Sequence, residues 1–103
     1  MVRILLVDDE PFIVQGLKAM IELENPKYRI VGEASDGKEA LEFLKREKVD
    51  LIIADVQMPV MSGLELLETI RKEKISDAYF MVLSGYSDFQ YAQQSLRYDC
   101  IDY

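Results

Sequence analysis

The stretch Ile4-Leu-Leu-Val-Asp-Asp-Glu-Pro11 joins four aliphatic residues to three acids and a proline. Four consecutive aliphatic side chains predict a short strand buried on both faces, and Pro11 suits the first position of a helix. Two carboxylates about 4 Å apart repel by about 4 kcal/mol at the effective dielectric constant of a partly buried site. Crowding Asp8, Asp9 and Glu10 at a strand end therefore requires something that offsets this repulsion.

The alternation of a short aliphatic run with a helical segment continues along the chain. The predicted strands are Arg3–Val7, Arg29–Ala34, Leu51–Ala54 and Tyr79–Ser84, each short enough for a strand buried on both faces, with Cys100–Tyr103 as the opening of a fifth. The predicted helices begin at Pro11, after Ser35 or Asp36, after Ser62 and after Asp88, and the first ends before Asn25-Pro26. This order predicts an α/β fold, a parallel sheet with right-handed crossovers and helices on both faces.

Composition limits the classes of function. The 103 residues suit one domain, 1–103, and half of them are apolar, which excludes wholesale disorder. The net charge of −7 argues against direct contact of this segment with nucleic acid or an anionic membrane. With no histidine, one cysteine and a short N-terminal apolar run, the sequence excludes His-based catalysis and predicts a cytoplasmic protein without a signal peptide or membrane span.

The residues that follow the predicted strands indicate a metal site. Asp8 and Asp9 follow the first strand, Asp55 the third and Ser84 ends the fourth. In such sheets ligands bind beyond the carboxyl ends of the strands, where the strand order reverses. Each acid alone could be a helix cap or turn residue, but three converging carboxylates need a hard cation. Mg²⁺ is expected, because it takes oxygen ligands and completes its shell with phosphate oxygens.

A Mg²⁺ site with an extra carboxylate is suited to phosphoryl transfer. The carboxylate attacks phosphorus and forms an acyl phosphate, while the metal offsets charge on the transferring group. Ser84, at the next strand end, is placed to donate a hydrogen bond to a phosphoryl oxygen.

Three motifs, Val7–Glu10 (VDDE), Asp50–Gly63 (DLIIADVQMPVMSG) and Val82–Tyr86 (VLSGY), resemble the receiver domains of bacterial two-component response regulators. The resemblance implies a flavodoxin-like sheet of order 2-1-3-4-5. It also implies that Asp55 accepts phosphate from a sensor histidine kinase and that Asp8, Asp9, Asp55 and the backbone carbonyl of Gln57 hold Mg²⁺. Ser84 would be the switching hydroxyl and Tyr103 the aromatic switch. The chain would then be a regulatory domain, not an enzyme, that assists its own phosphorylation and dephosphorylation and controls an output such as transcription. The stretch Ser84–Ala92 further resembles receivers attached to AraC-type DNA-binding domains.

The chain departs from this family at its end. Receivers usually finish the fifth strand with a lysine, followed by a proline and a fifth helix, and none of these is present in the 103 residues. We expect a receiver truncated before the end of its fifth strand, without an output domain, and favour a piece of a longer regulator over a natural minimal receiver. A sheet face left partly uncovered beside the first helix predicts a homodimer, through that face or the fourth-helix region.

Two other functions fit a sheet of this kind. A Mg²⁺-dependent phosphohydrolase with an aspartyl nucleophile would use a second acid two residues after it, where this chain has Gln57. A flavin-binding module would need a phosphate loop rich in Ser, Thr and Gly after the first strand, where this chain has acids. Both alternatives are therefore less favoured than a phosphorylated regulatory domain.

Overall fold

The sheet contains the predicted strands in the predicted order. A computed structural model describes residues 1–24, 26–55 and 61–83. The elements are β1 (Val2–Val7), α1 (Pro11–Glu24), β2 (Tyr28–Ala34), α2 (Gly37–Arg46), β3 (Leu51–Asp55), α3 (Gly63–Lys72) and β4 (Tyr79–Leu83). The strands are parallel in the order β2-β1-β3-β4, which confirms the flavodoxin-like α/β architecture over the described part of the chain. The predicted fourth helix and fifth strand lie outside the described residues.

The two central strands are buried on both faces, as their unbroken aliphatic runs predict. Ile4–Val7 and Leu51–Ala54 are at most 1% exposed. The prediction is wrong for β2, where Arg29 and Glu33 are exposed. Because β2 is one of the two outer strands of the described sheet, its side chains are less covered than those of β1 and β3.

Helix α1 covers one face of the sheet. It buries Val14, Leu17, Met20 and Ile21 against a cluster that includes Leu6, Ile53 and Met81. Met81 and Leu83 are 1% and 6% exposed. Strand β4 is therefore covered on this face, whereas the outward side of α1 exposes Phe12 and Leu23. The uncovered face expected beside α1 involves the fifth strand, which lies outside the described residues, so that expectation stays a prediction.

Helices α2 and α3 cover the opposite face, and both begin at predicted caps. Asp36, one of two predicted candidates, accepts a hydrogen bond from the Glu39 N–H, and Ser62 forms a reciprocal capping box with Glu65. Their apolar sides, including Ala40, Leu44, Leu66 and Ile70, pack on a second cluster around Phe80. Since every helix follows the carboxyl end of a strand, all three helix N-termini lie at the same edge of the sheet.

Candidate metal centre

Three acids meet at the edge of the sheet where β1 and β3 end. Val7 pairs with Ala54 in the parallel register, so Asp8 and Asp55 follow paired residues on neighbouring strands. Carboxylate oxygens of Asp8, Asp9 and Asp55 all lie within 4.8 Å of one another. The topology thus brings together the three carboxylates that the sequence predicts as metal ligands.

Asp8 is the most confined of these acids. Its side chain is 7% exposed, and its Oδ1 accepts a 2.9 Å hydrogen bond from the backbone N–H of Glu10. Burial raises the pKa of Asp8 above its ordinary value, and the negative charges of Asp55, Asp9 and Glu10 raise it further, while the hydrogen bond from Glu10 opposes the rise. The fold therefore holds a carboxylate where its ionised form is disfavoured.

The oxygen donors fit a small hard cation. Mg²⁺–O distances of about 2.0–2.1 Å allow two ligand oxygens to lie at most about 4.2 Å apart. The 4.8 Å limit of the cluster is slightly larger. Asp9 is exposed and Asp55 is only partly buried, so both have room to move inward. A cation between these acids would also remove the repulsion that raises the pKa of Asp8.

Glu10 has a different role from its two acidic neighbours. Its backbone carbonyl accepts hydrogen bonds from the N–H groups of Ile13 and Val14, at 3.1 and 3.2 Å. Glu10 therefore lies immediately before α1 and accepts its first hydrogen bonds. Its carboxylate does not belong to the cluster of Asp8, Asp9 and Asp55.

A groove of about 250 Å³ adjoins the metal acids on the side of β2. Gln15, Glu33 and Glu39 contribute to its walls, together with Asp8 and Asp9. The sequence alone does not point to these three residues, because they come from α1, β2 and α2 and share no local motif. Only the strand order and the helix positions bring them together.

Three predicted site residues, Gln57, Ser84 and Tyr103, lie outside the described residues. The structure does place their neighbours in the chain. Asp55 pairs with Leu83, so β4 ends beside the metal centre immediately before Ser84. The metal and switch roles of Gln57, Ser84 and Tyr103 remain predictions.

Comparisons with known proteins agree with this geometry. Residues 4–103 match the family model of the response regulator receiver domain. YesN of Bacillus subtilis, a transcriptional regulatory protein, is 39% identical over 98 residues, which cover 95% of this chain but 26% of YesN. This chain thus spans about a quarter of that relative.

Two solved structures extend the comparison. The response regulator TrrA of Thermotoga maritima, in complex with Mg²⁺–BeF, is 42% identical with a TM-score of 0.71, over 94% of this chain and 81% of TrrA. A two-component transcriptional regulator AraC from Clostridium phytofermentans is 35% identical with a TM-score of 0.71, over 88% of this chain and 73% of the other. The chain therefore belongs to the receiver domains of two-component response regulators.

Proposed function

We propose that this receiver domain takes a phosphoryl group onto Asp55 from a sensor histidine kinase in a Mg²⁺-dependent reaction. The observation that carries the proposal is the convergence of three carboxylates within 4.8 Å at the end of β1 and β3. The complex of TrrA with Mg²⁺–BeF supports it, since that relative shares this fold at 42% identity.

The residues divide the chemistry between them. A carboxylate oxygen of Asp55 forms a bond to phosphorus while the bond from phosphorus to the kinase imidazole nitrogen breaks, so the imidazole leaves with the bonding electron pair. Asp8 and Asp9, with the carbonyl of Gln57, would hold the metal. Mg²⁺, when bound, offsets negative charge on the phosphoryl oxygens during transfer. The hydrogen bond from Glu10 fixes the orientation of Asp8 for this task.

Incubation with Mg²⁺ and acetyl phosphate tests the proposal without a kinase. Mass spectrometry should show the gain of one phosphoryl group, stable in acid and labile in base, as expected for an acyl phosphate. Asp55→Asn should abolish the gain, because an amide is a poor nucleophile. Phosphorylation of Asp55→Asn to the wild-type extent would contradict the assignment.

The same reaction separates a regulatory domain from a phosphohydrolase. A receiver holds one phosphoryl group per chain and releases it slowly, whereas a hydrolase releases inorganic phosphate rapidly over many turnovers. Multiple-turnover release would support the hydrolase. Family membership and Gln57 at the position of the expected acid favour the receiver.

The names of the relatives support control of transcription as the output. YesN is a transcriptional regulatory protein, and a similar structure comes from an AraC regulator. We propose that phosphorylation of this domain controls a DNA-binding segment of the AraC type. Among the described residues, no helix has the length and apolar character needed to cross a membrane.

The outward side of α1 supplies a surface for the kinase. Four exposed residues recur at helical spacing on this side of α1. We call them the α1 stripe: Phe12, Gly16, Ala19 and Leu23. Phe12 and Leu23 are 88% and 86% exposed, and Phe12 lies three residues after Asp9. We propose that the kinase packs on the α1 stripe when it presents its phosphoryl group to Asp55.

A further inference from the structure

The groove on the β2 side of the metal acids combines acids with apolar residues, and we call it the β2 groove. Glu33 and Glu39 line it together with Val14 and Ala34, which are buried. Glu39 accepts hydrogen bonds from the N–H and the hydroxyl of Ser35, at 2.8 and 2.9 Å. Both donors are uncharged, so the negative charge of Glu39 is not neutralised. None of these residues takes part in the proposed phosphoryl transfer.

An extra residue in β2 turns Glu33 toward the α1 side of the sheet. Val31 interrupts the register, because Ile30 and Gly32 pair with consecutive residues of β1. Beyond this bulge, Glu33 pairs with Leu6, which lies in the cluster covered by α1. In a regular strand, Ile30 and Glu33 are three residues apart and would face opposite sides of the sheet. The bulge lets both face α1, where Glu33 lines the β2 groove.

The bulge is held in place by an aromatic contact from α2. A Cβ atom added to Gly32 would lie 2.5 Å from Cε2 of Phe43, so the ring lies this close to the strand only because the position is glycine. Bulges are rare between parallel strands, and they are over-represented beside active sites, where they re-aim a side chain. The sheet itself therefore fixes the direction of Glu33.

Lys18 of α1 shows that Glu33 accepts an alkylammonium group. Its Nζ lies 3.4 Å from Oε2 of Glu33, and both side chains are 42% exposed. An exposed ion pair of this kind is weak, so the basic side chain of a partner can replace Lys18. Lysine and arginine place a charged head on an apolar stem. This combination matches a groove in which buried apolar residues lie beside carboxylates.

We infer that the β2 groove binds a lysine or arginine side chain of the sensor kinase, which exchanges with Lys18 on Glu33. The inference deepens the proposed function and rests on it. Because Asp8 and Asp9 also line the groove, a kinase that reaches Asp55 must approach these acids. Acidic groups of the kinase would be repelled there, whereas a basic side chain supplies the complementary charge that sets partner choice and association rate. Glu33 is thus a specificity-determining residue.

Glu33→Gln tests the inference in the rate of phosphotransfer from a sensor kinase that phosphorylates wild type. Each rate is divided by the rate of labelling with acetyl phosphate, so that an effect on the metal centre itself cancels. The ratio should fall about fivefold in Glu33→Gln, as for the loss of one favourable exposed ion pair. The fall should shrink at high salt, which screens exposed charges.

Glu68→Gln is the matched control for this charge. It removes the same carboxylate from an exposed position on α3, and Glu68 does not line the β2 groove. The ratio in Glu68→Gln should equal that of wild type. Equal ratios in Glu33→Gln and Glu68→Gln would overturn the inference.

Lys18→Met should change the ratio in the opposite direction. It keeps an apolar stem but removes the ammonium group that competes for Glu33, so the ratio should rise. The rise should be absent when Glu33→Gln is also present, because the shared carboxylate is then missing. A fall of the ratio in Lys18→Met would contradict the exchange.

Substitution of each lysine and arginine of the kinase by glutamine identifies the group that enters the β2 groove. For one of them, the effects of the kinase substitution and of Glu33→Gln should not add, as expected for residues in contact. Additive effects at every basic residue of the kinase would refute the inference. Failure of the proposed function would look different, because wild type itself would then gain no phosphoryl group from acetyl phosphate.

Discussion

The position of Asp8 disfavours its ionised carboxylate, although the proposed metal site uses that carboxylate as a ligand. It is buried, close to two other carboxylates and hydrogen-bonded by the Glu10 N–H. The sequence alone predicts the crowding of acids, because Asp8 and Asp9 follow a buried strand and Asp55 follows its neighbour. Which acid is buried could not be predicted, because that depends on how α1 begins beside β1.

The raised pKa of Asp8 makes the stability of the metal-free protein depend on pH. The folded state binds the Asp8 proton more readily than the unfolded state, whose Asp pKa is near 3.8. The contribution of Asp8 to stability is therefore present below that value and is lost as the pH rises through the raised pKa.

Replacing Asp8 by asparagine should remove the loss of stability that accompanies deprotonation of Asp8. Asn retains an oxygen that can accept the Glu10 N–H, so we expect Asp8→Asn to raise the free energy of unfolding at neutral pH by roughly 1 kcal/mol, the size of a typical single-residue effect. Urea unfolding without Mg²⁺ measures it, and the difference from wild type should shrink in acid. A variant less stable than wild type at neutral pH would contradict this account.

At the scale of elements, the periodic patterns predicted most of the described fold. The caps Asp36 and Ser62 and the strands β1, β3 and β4 lie where capping chemistry and aliphatic runs place them. The end of α3 could not be predicted in the same way. Lys74 adopts φ 53° and donates to the carbonyl of Arg71 while Ile75 donates to that of Ile70, a Schellman ending built on a residue that rarely takes this conformation.

Substitutions in the α1 stripe should weaken recognition of the kinase without affecting the reaction of Asp55 with a small phosphodonor. Phosphotransfer is measured from a sensor kinase that phosphorylates wild type. Phe12→Ala and Leu23→Ala should each reduce its rate about tenfold, as for a central interface residue. Their rates with acetyl phosphate should not change, because this small donor needs no docking surface. Stability should also change by less than about 0.5 kcal/mol, since both side chains are exposed.

Tyr79 is the matched control for the α1 stripe. It is 60% exposed and lies at the first residue of β4, at the opposite edge of the sheet from the metal acids. Tyr79→Ala should leave both phosphotransfer and the acetyl phosphate reaction unchanged. An equal loss of phosphotransfer in Tyr79→Ala and Phe12→Ala would show that the kinase does not recognise α1.

Across the whole molecule, the topology separates charges that are mixed in the sequence. Helices α2 and α3 carry Glu39 and Glu65 in their first turns and two basic residues each in their last turns, which complements their dipoles. Because every helix begins where a strand ends, these acids lie at the same edge as the metal acids. The net charge of −7 could be read from the sequence, but the placement of Glu39 and Glu65 at the same edge as the metal acids required the fold.

Mg²⁺ should therefore stabilise the entire domain and not only its site. Binding to the folded state alone adds about 2.7 kcal/mol to the free energy of unfolding when free Mg²⁺ is 100 times its dissociation constant. NaCl at the same ionic strength should give a much smaller gain, because it screens the acids without bridging them. Removal of Mg²⁺ by a chelator should reverse the effect, and Asp8→Asn should weaken it. Equal stabilisation by NaCl and MgCl₂ at matched ionic strength would show that screening, and not a bound cation, offsets the repulsion between Asp8, Asp9 and Asp55.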